Sequence, residues 1–405
     1  MRCLVGLPAR GDDFFDRQEL VDLIWQRLEA GHILLAAPRR FGKTSVMYRL
    51  LDQPRQGWHP VHLDAESIRE PVGFVIAVLQ TLLADRRLRN FLIARWKAAG
   101  QWTRSLLDDV EIQTPWEVTL KLSLKERLGP NWPEVAGILL RHLREYDGGE
   151  RPLIIIDELP VMLFLFRDNN VPPSDVRAFL YWFRHLRIDP DVGLTNCRFL
   201  VGGSIGIEHY LADLAAADSF NDLERVPLAE FAPERARQFL RDLLDELDIE
   251  LSPASQRRVL SLIGAPIPYF IQVFVAELVS ARAEGHDVAG PRHLETIYRD
   301  RVLGAACKTY FQHYYERLRR YDRATEQAAK ALLKSIALAQ PMPVRREDLR
   351  ALFARSLGES SSDEAFATLI ADLENDFYVR FRPDTASYEF SSKILCDWWR
   401  RYYAF

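Results

Sequence analysis

Gly42, Lys43 and Thr44 stand in the order that phosphate binding requires, inside the stretch AAPRRFGKTSV from Ala36 to Val46. A glycine lets backbone amides close on phosphate oxygens, a lysine reaches the β- and γ-oxygens, and a threonine hydroxyl binds magnesium. The stretch follows the apolar run Ile33-Leu34-Leu35 and precedes a helical pattern. Residues Ala37, Pro38, Arg39, Arg40, Phe41, Gly42, Lys43, Thr44 and Ser45 are therefore a candidate nucleotide cradle, with a nucleotide and Mg2+ as its expected ligands. The usual spacing G-x-x-x-x-G-K-[ST] has glycine where this chain has Ala37. Alanine held at positive φ would be strained by about 1–2 kcal/mol, so Ala37 is expected in extended backbone at the strand end.

A second signal is Leu153-Ile154-Ile155-Ile156-Asp157-Glu158, a wholly apolar strand that ends in two carboxylates. Ligands of an open α/β sheet collect at the carboxyl ends of its strands. Asp157 can hold magnesium directly or through water, and Glu158 can polarise the attacking water. The third signal is RFLVGGSIG, Arg198 to Gly206. Gly202-Gly203-Ser204-Ile205-Gly206 also fits the nucleophile elbow of a serine hydrolase, with His209, His286, His293 and His313 available as later partners. That fold has no use for a phosphate loop or an acidic pair on a neighbouring strand. Ser204 is therefore read as a polar residue placed to sense the γ-phosphate or orient water.

These residues need a sheet to hold them. Short apolar runs stand at 32–37, 60–63, 152–156, 198–201 and 226–228, and all but the last are followed by a helical pattern, the grammar of a parallel sheet with helices on both faces. Residues from about 86 to 133 look like an insertion. Val118, Leu120, Leu122 and Leu124 alternate there with polar residues, which predicts a strand, and Val110 with Ile112 could pair with it as a β-hairpin across Thr114-Pro115-Trp116. The hairpin would extend the sheet or, alternatively, form a partner-binding prong.

Strand signals nearly vanish after about residue 230, which divides the chain into a core of residues 1–230, a helical lid of 231–303 and a C-terminal part of 304–405. Four lid helices are expected to start at Pro233, Ser252-Pro253, Pro266/Pro268 and Pro291. An aromatic-rich helix around 310–321 leads to helices over 324–339, 346–353 and 363–374 and strands over 378–381 and 388–390, the pattern of a winged helix. A last helix bearing Trp398, Trp399, Tyr402 and Tyr403 is expected to pack back as an anchor.

Together these residues resemble an archaeal-type AAA+ ATPase, a group of P-loop ASCE NTPases related to origin-initiator ATPases and to STAND signal-transduction NTPases. The resemblance runs from about residue 10 to 300, through FFDRQELVDLI, PRRFGKTS, IIIDELP, VGGS, VPLAEF and GAPIPYFIQ. The departures are Ala37 for glycine in the loop and Asp16 for glycine in the first motif. The resemblance implies a sheet of order 5-1-4-3-2, a helical lid, a C-terminal winged helix, and adenine packing near Phe14/Phe15 and the Pro266–Pro268 turn. It also implies an arginine donated by a neighbouring subunit. Arg225, just before the expected fifth strand, fits that position, and Arg184 and Arg187 are further candidates.

Composition narrows the partners. With 53 basic and 57 acidic residues the net charge is −4, which argues against a protein that coats nucleic acid through bulk charge. Residues 320–405 carry thirteen basic and thirteen acidic side chains, and the expected recognition helix, 363–374, has four acids and no Lys or Arg. That is a poor surface for phosphates. Four widely spaced cysteines without metal-ligand spacing, no signal peptide and no apolar run near 20 residues point to a cytoplasmic protein without a membrane anchor. The expectation is an ATP-driven switch whose nucleotide state controls homo-oligomer assembly or contacts with a protein partner. The alternatives are a DNA-associated loader or target selector, and a nucleotide-binding scaffold with little hydrolysis.

Overall fold

A computed structural model describes residues 1–99, 129, 131–146, 148–191, 193–203, 208–305, 307–358 and 361–404. The chain forms two compact units: a sheet unit of residues 17–37 and 43–228, and a second unit of residues 1–16, 38–42 and 229–405.

The sheet unit contains β1 (His32–Ala36), β2 (Trp58–Asp64), β3 (Arg151–Asp157), β4 (Arg198–Gly203) and β5 (Leu223–Pro227). They pair in the order β2-β3-β4-β1-β5, every pairing parallel, which is the order the resemblance implies. β1 is buried along its whole length and β3 nearly so, as central strands of a sheet covered on both faces must be. Its helices are α1 (Gln18–Ala30), α2 (Lys43–Asp52), α3 (Pro71–Ala84), α4 (Arg86–Ala99), α5 (Trp132–Leu140), α6 (Leu159–Asp168), α7 (Pro173–Ile188) and α8 (Glu208–Asp213).

The segment read as an insertion begins with α4, whose Leu88, Leu92 and Trp96 belong to the core of the unit. One expectation changes here. β5 starts at Leu223, not Val226, which places Arg225 inside the strand opposite Leu34 and leaves Leu228 beyond its end. The polar residues Glu224 and Arg225 hid that strand, which lies at an edge of the sheet and buries only Leu223 and Val226. The expected hairpin over 110–125 lies outside the described residues.

In the second unit α9 (Pro233–Glu246), α10 (Pro253–Ile263), α11 (Pro268–Ala283) and α12 (Pro291–Ile297) each start on a proline at the first helical position, where its missing N–H is no loss. Ser252 caps α10 by accepting from the Ser255 amide. The aromatic-rich helix α13 is shorter than expected, Lys308–Arg317, and tightens into a 3-10 turn before Tyr321. There follow α14 (Arg323–Ala339), β6 (Val344–Arg345), α15 (Arg346–Leu357), α16 (Asp363–Asn375), β7 (Val379–Arg382), β8 (Ser387–Phe390) and α17 (Lys393–Tyr403). The two-residue strand β6 pairs with β8 and makes the wing three-stranded, a strand too short to carry an alternation signal. In α17, Trp398 and Trp399 are buried, and Tyr403 stacks on Tyr315 with ring centroids 3.8 Å apart.

Candidate functional site

β1 ends at Ala36, and the loop begins with Ala37, whose amide donates to the Gly203 carbonyl at 3.2 Å. Ala37 is buried and is not among the positive-φ residues. The alanine in place of the usual glycine therefore carries no left-handed strain. Positive φ falls instead at Arg40 (75°) and at Gly42 (94°). A side chain at Gly42 would meet nothing, so glycine is required there for its backbone angle. Residues 38–42 belong to the second unit, where Pro38 and Phe41 are buried, Arg39 is partly exposed and Arg40 is exposed.

α2 starts at Lys43, so Lys43, Thr44 and Ser45 stand at the end of a helix whose free amides and dipole favour an anion. The Lys43 ammonium is buried and donates to the Ala37 carbonyl at 3.2 Å. It also lies 3.9 Å from a carboxylate oxygen of Glu158. The Thr44 hydroxyl donates to Asp157 Oδ2 at 2.6 Å, although 113 residues separate the two. Four residues from two distant motifs thus meet at the carboxyl ends of β1 and β3.

Their electrostatics differ. Burial raises the Asp157 carboxyl above its usual range, against the lowering effect of the Thr44 hydrogen bond and the Lys43 charge. The Glu158 amide donates to Asp157 Oδ1 at 2.9 Å, and Glu158 itself is held at φ 54°, in the left-handed region. Its Oε2 is buried and has no hydrogen-bond partner in the protein. A left-handed non-glycine residue and an orphaned acceptor are both features that functional sites tolerate and ordinary cores avoid. The donor set fits Mg2+: the Thr44 hydroxyl and the Asp157 carboxylate are adjacent oxygens of the kind this hard cation takes.

Gly202 and Gly203, which the sequence shows in the elbow pattern and in the VGGS segment of the resemblance, lie beside the site. A Cβ on Gly202 would lie 2.8 Å from Asp157 Oδ1 and 2.2 Å from Met47 Cε, and one on Gly203 would lie 2.7 Å from Pro160. The Gly-Gly pair therefore gives β4 a bare backbone where β3 and α2 bring in their site residues. The paired glycines at a strand end were the available signal.

The remaining candidates are distributed as follows. Ser204 lies outside the described residues. Arg187 is buried, donates to both Asp222 oxygens at 2.7 and 2.8 Å, and bonds the Ser219 carbonyl, so it is a structural arginine and not one offered to a neighbour. Arg184 pairs with Asp218 at 2.7 Å. Arg225 is exposed on β5, the edge strand. In the second unit, Phe15 packs on Phe231 and Phe239 with centroids 5.7 and 5.1 Å away. The Phe231 amide donates to the Pro266 carbonyl at 3.1 Å, so Phe15 and the turn before Pro268 share one neighbour. Asp16, in place of a glycine, has φ 55°, an angle that aspartate adopts more readily than most residues.

Two solved structures share this architecture. The Walker-type ATPase PABY2304 of Pyrococcus abyssi is 16% identical, covers 99% of this chain and 100% of its own, and superposes with a TM-score of 0.67. The ORC2 protein of Aeropyrum pernix, solved as ADPNP–ADP complexes, is 13% identical, with 94% and 92% of the chains covered and a TM-score of 0.52. No protein-family model and no curated protein matches the sequence. At these identities the likeness is one of fold, and the fold is that of the AAA+ P-loop ATPases. No helix among the described residues is long and apolar enough to cross a membrane.

Proposed function

We propose that this chain binds ATP with Mg2+ and hydrolyses it at the β–γ phosphoanhydride, and that the nucleotide state controls assembly or partner contacts. The observation that carries the reading is the meeting of Lys43, Thr44, Asp157 and Glu158 at the ends of two strands. Lys43 binds the β- and γ-phosphate oxygens, and the amides of the loop and of the α2 start complete the cradle. Thr44 and Asp157 would hold the metal, which would neutralise charge on the phosphates. Glu158 accepts the proton of a water attacking the γ-phosphorus, the bond to the bridging oxygen breaks, and ADP and phosphate leave. The structure solved as ADPNP–ADP complexes belongs to the A. pernix protein and supports adenine nucleotides as the ligand class.

The reading is tested with two variants. Lys43→Ala abolishes nucleotide binding, whereas Glu158→Gln binds MgATP and fails to turn it over. Wild-type turnover in Glu158→Gln would refute the assignment of the base.

Within this reading the helical lid and winged helix serve protein contacts ahead of DNA. Asp363, Glu364 and Glu374 are exposed on α16, and the wing arginines Arg380 and Arg382 both pair with Glu389. Arg225 is the candidate to reach a neighbour's γ-phosphate in an ATP-bound assembly. Larger species with ATP than without, lost in Arg225→Ala, are the expected outcome by chromatography. A protein that stays monomeric with saturating ATP at full turnover would remove that role.

A further inference from the structure

The loop residues 38–42 belong to the second unit, and two aromatic seats hold them there. The Phe41 ring is 3% exposed and meets Phe377 edge-to-face, with centroids 4.9 Å apart and planes at 79°. The Arg40 guanidinium carbon lies 4.6 Å from the centre of the Tyr269 ring on α11.

Phe377 occupies an unusual backbone position. α16 ends in the two hydrogen bonds of a Schellman turn, Phe377 amide to Glu374 carbonyl at 3.0 Å and Tyr378 amide to Leu373 carbonyl at 2.9 Å. The residue at that point must be left-handed, and Phe377 has φ 67°. Glycine is the usual occupant because it alone adopts this angle without steric cost. The preceding residue, Asp376, is 1% exposed and is clamped by Arg317 and Arg320 at 3.0 and 2.5 Å, which fixes the turn. Arg40, at φ 75°, is likewise a left-handed non-glycine residue. Both positions carry a backbone cost that glycine would avoid, and at each the side chain makes an aromatic contact that glycine could not make.

We propose that Phe377 is a positioning residue for the phosphate loop: through Phe41 it holds residues 38–42 in the conformation that receives nucleotide. The inference rests on the ATP-binding reading, and it names the device that links the loop to the C-terminal module. By linkage, a nucleotide that favours the seated loop also favours the Phe41–Phe377 contact, so the end of α16 reports the state of the loop.

The test uses the full chain with Phe377→Gly, Phe377→Tyr, Phe41→Ala and the Phe41→Ala/Phe377→Gly double variant. Amide hydrogen exchange over residues 38–45 is measured without nucleotide, and affinity for ADP and MgATP by calorimetry. An edge-to-face pair is worth enough to shift an equilibrium about two- to tenfold. Phe377→Gly should therefore speed loop exchange and weaken nucleotide affinity by about that factor, with kcat at saturating MgATP unchanged. It should do so without loss of thermal stability, since glycine suits the helix end. Phe377→Tyr keeps the ring and should retain wild-type exchange and affinity. The double variant should match Phe41→Ala, because Phe377 acts on the loop only through the Phe41 ring. Wild-type loop exchange in Phe377→Gly, or additive effects in the double variant, would overturn the proposal. Should the wild type bind neither ADP nor MgATP, the ATP reading fails, while loop exchange still decides the role of Phe377.

Discussion

Gly202→Ala adds a single methyl group beside the metal-ligand candidate, and its consequence can be worked from the contacts. The new Cβ would stand 2.2 Å from Met47 Cε and 2.8 Å from Asp157 Oδ1. Met47 ends in a flexible thioether and can swing away. Asp157 is held at both oxygens, by the Thr44 hydroxyl at 2.6 Å and the Glu158 amide at 2.9 Å. Ordinary contact begins near 3.4 Å, so Oδ1 must retreat by 3.4 − 2.8 = 0.6 Å. That breaks its alignment with the Glu158 amide and turns Oδ2 from Thr44. Misplacing a catalytic group by about 1 Å can cost a hundredfold, so a shift of this size is worth roughly tenfold in turnover. Overpacking adds about 1–3 kcal/mol of lost stability. The assay is ATP hydrolysis titrated with Mg2+, paired with binding of metal-free ADP. Turnover should fall and require more Mg2+, while metal-free ADP, held by Lys43 and the loop, should bind as in the wild type. Unchanged kcat and unchanged Mg2+ dependence would show that Asp157 does not hold the metal.

Ala37→Gly should leave nucleotide affinity unchanged and lower stability by about 0.5–1 kcal/mol through unfolded-chain entropy, read by calorimetry and thermal melting; a tenfold gain in affinity would mean that Ala37 is strained. Arg187→Ala should destabilise the protein by about 3–5 kcal/mol in urea unfolding, because it leaves Asp222 without its buried partner. His32 is held neutral, mainly by burial, with its pKa lowered from 6.5 to about 4. Its ring accepts from the Phe199 amide and donates to the Arg187 carbonyl. The unfolded chain binds the extra proton first, so this contribution is full above pH 6.5 and is lost as pH falls toward 4, by up to roughly 3 kcal/mol. Urea unfolding between pH 7 and about pH 4 should show that slope, reduced in His32→Gln; an equal slope in the variant would refute the cause.

The Gly-Lys-Thr loop, the acidic strand end and the proline-marked helix starts are all legible in the residues themselves. Each rests on local physics: a glycine that frees the backbone, a lysine and threonine at a helix start, a buried apolar strand, a proline at the first helical position. The family resemblance supplied the strand order. Tertiary structure alone decided which of these pieces touch. Thr44 and Asp157 meet because β4 lies between β1 and β3 and lacks a side chain at 202, beside Asp157. The same holds for Arg187, which looked available on a helix until Asp222 closed on it, and for Arg225, which only strand pairing placed inside β5. Phe41 stands in the candidate nucleotide cradle and Phe377 between an expected helix and an expected strand, and nothing in either segment points to the other. Their pairing depends on a left-handed turn at Phe377, fixed by Asp376 between two arginines from another helix end. Backbone propensity is a property of neighbours along the chain, whereas these contacts join residues that chain order keeps far apart, and only packing can select them.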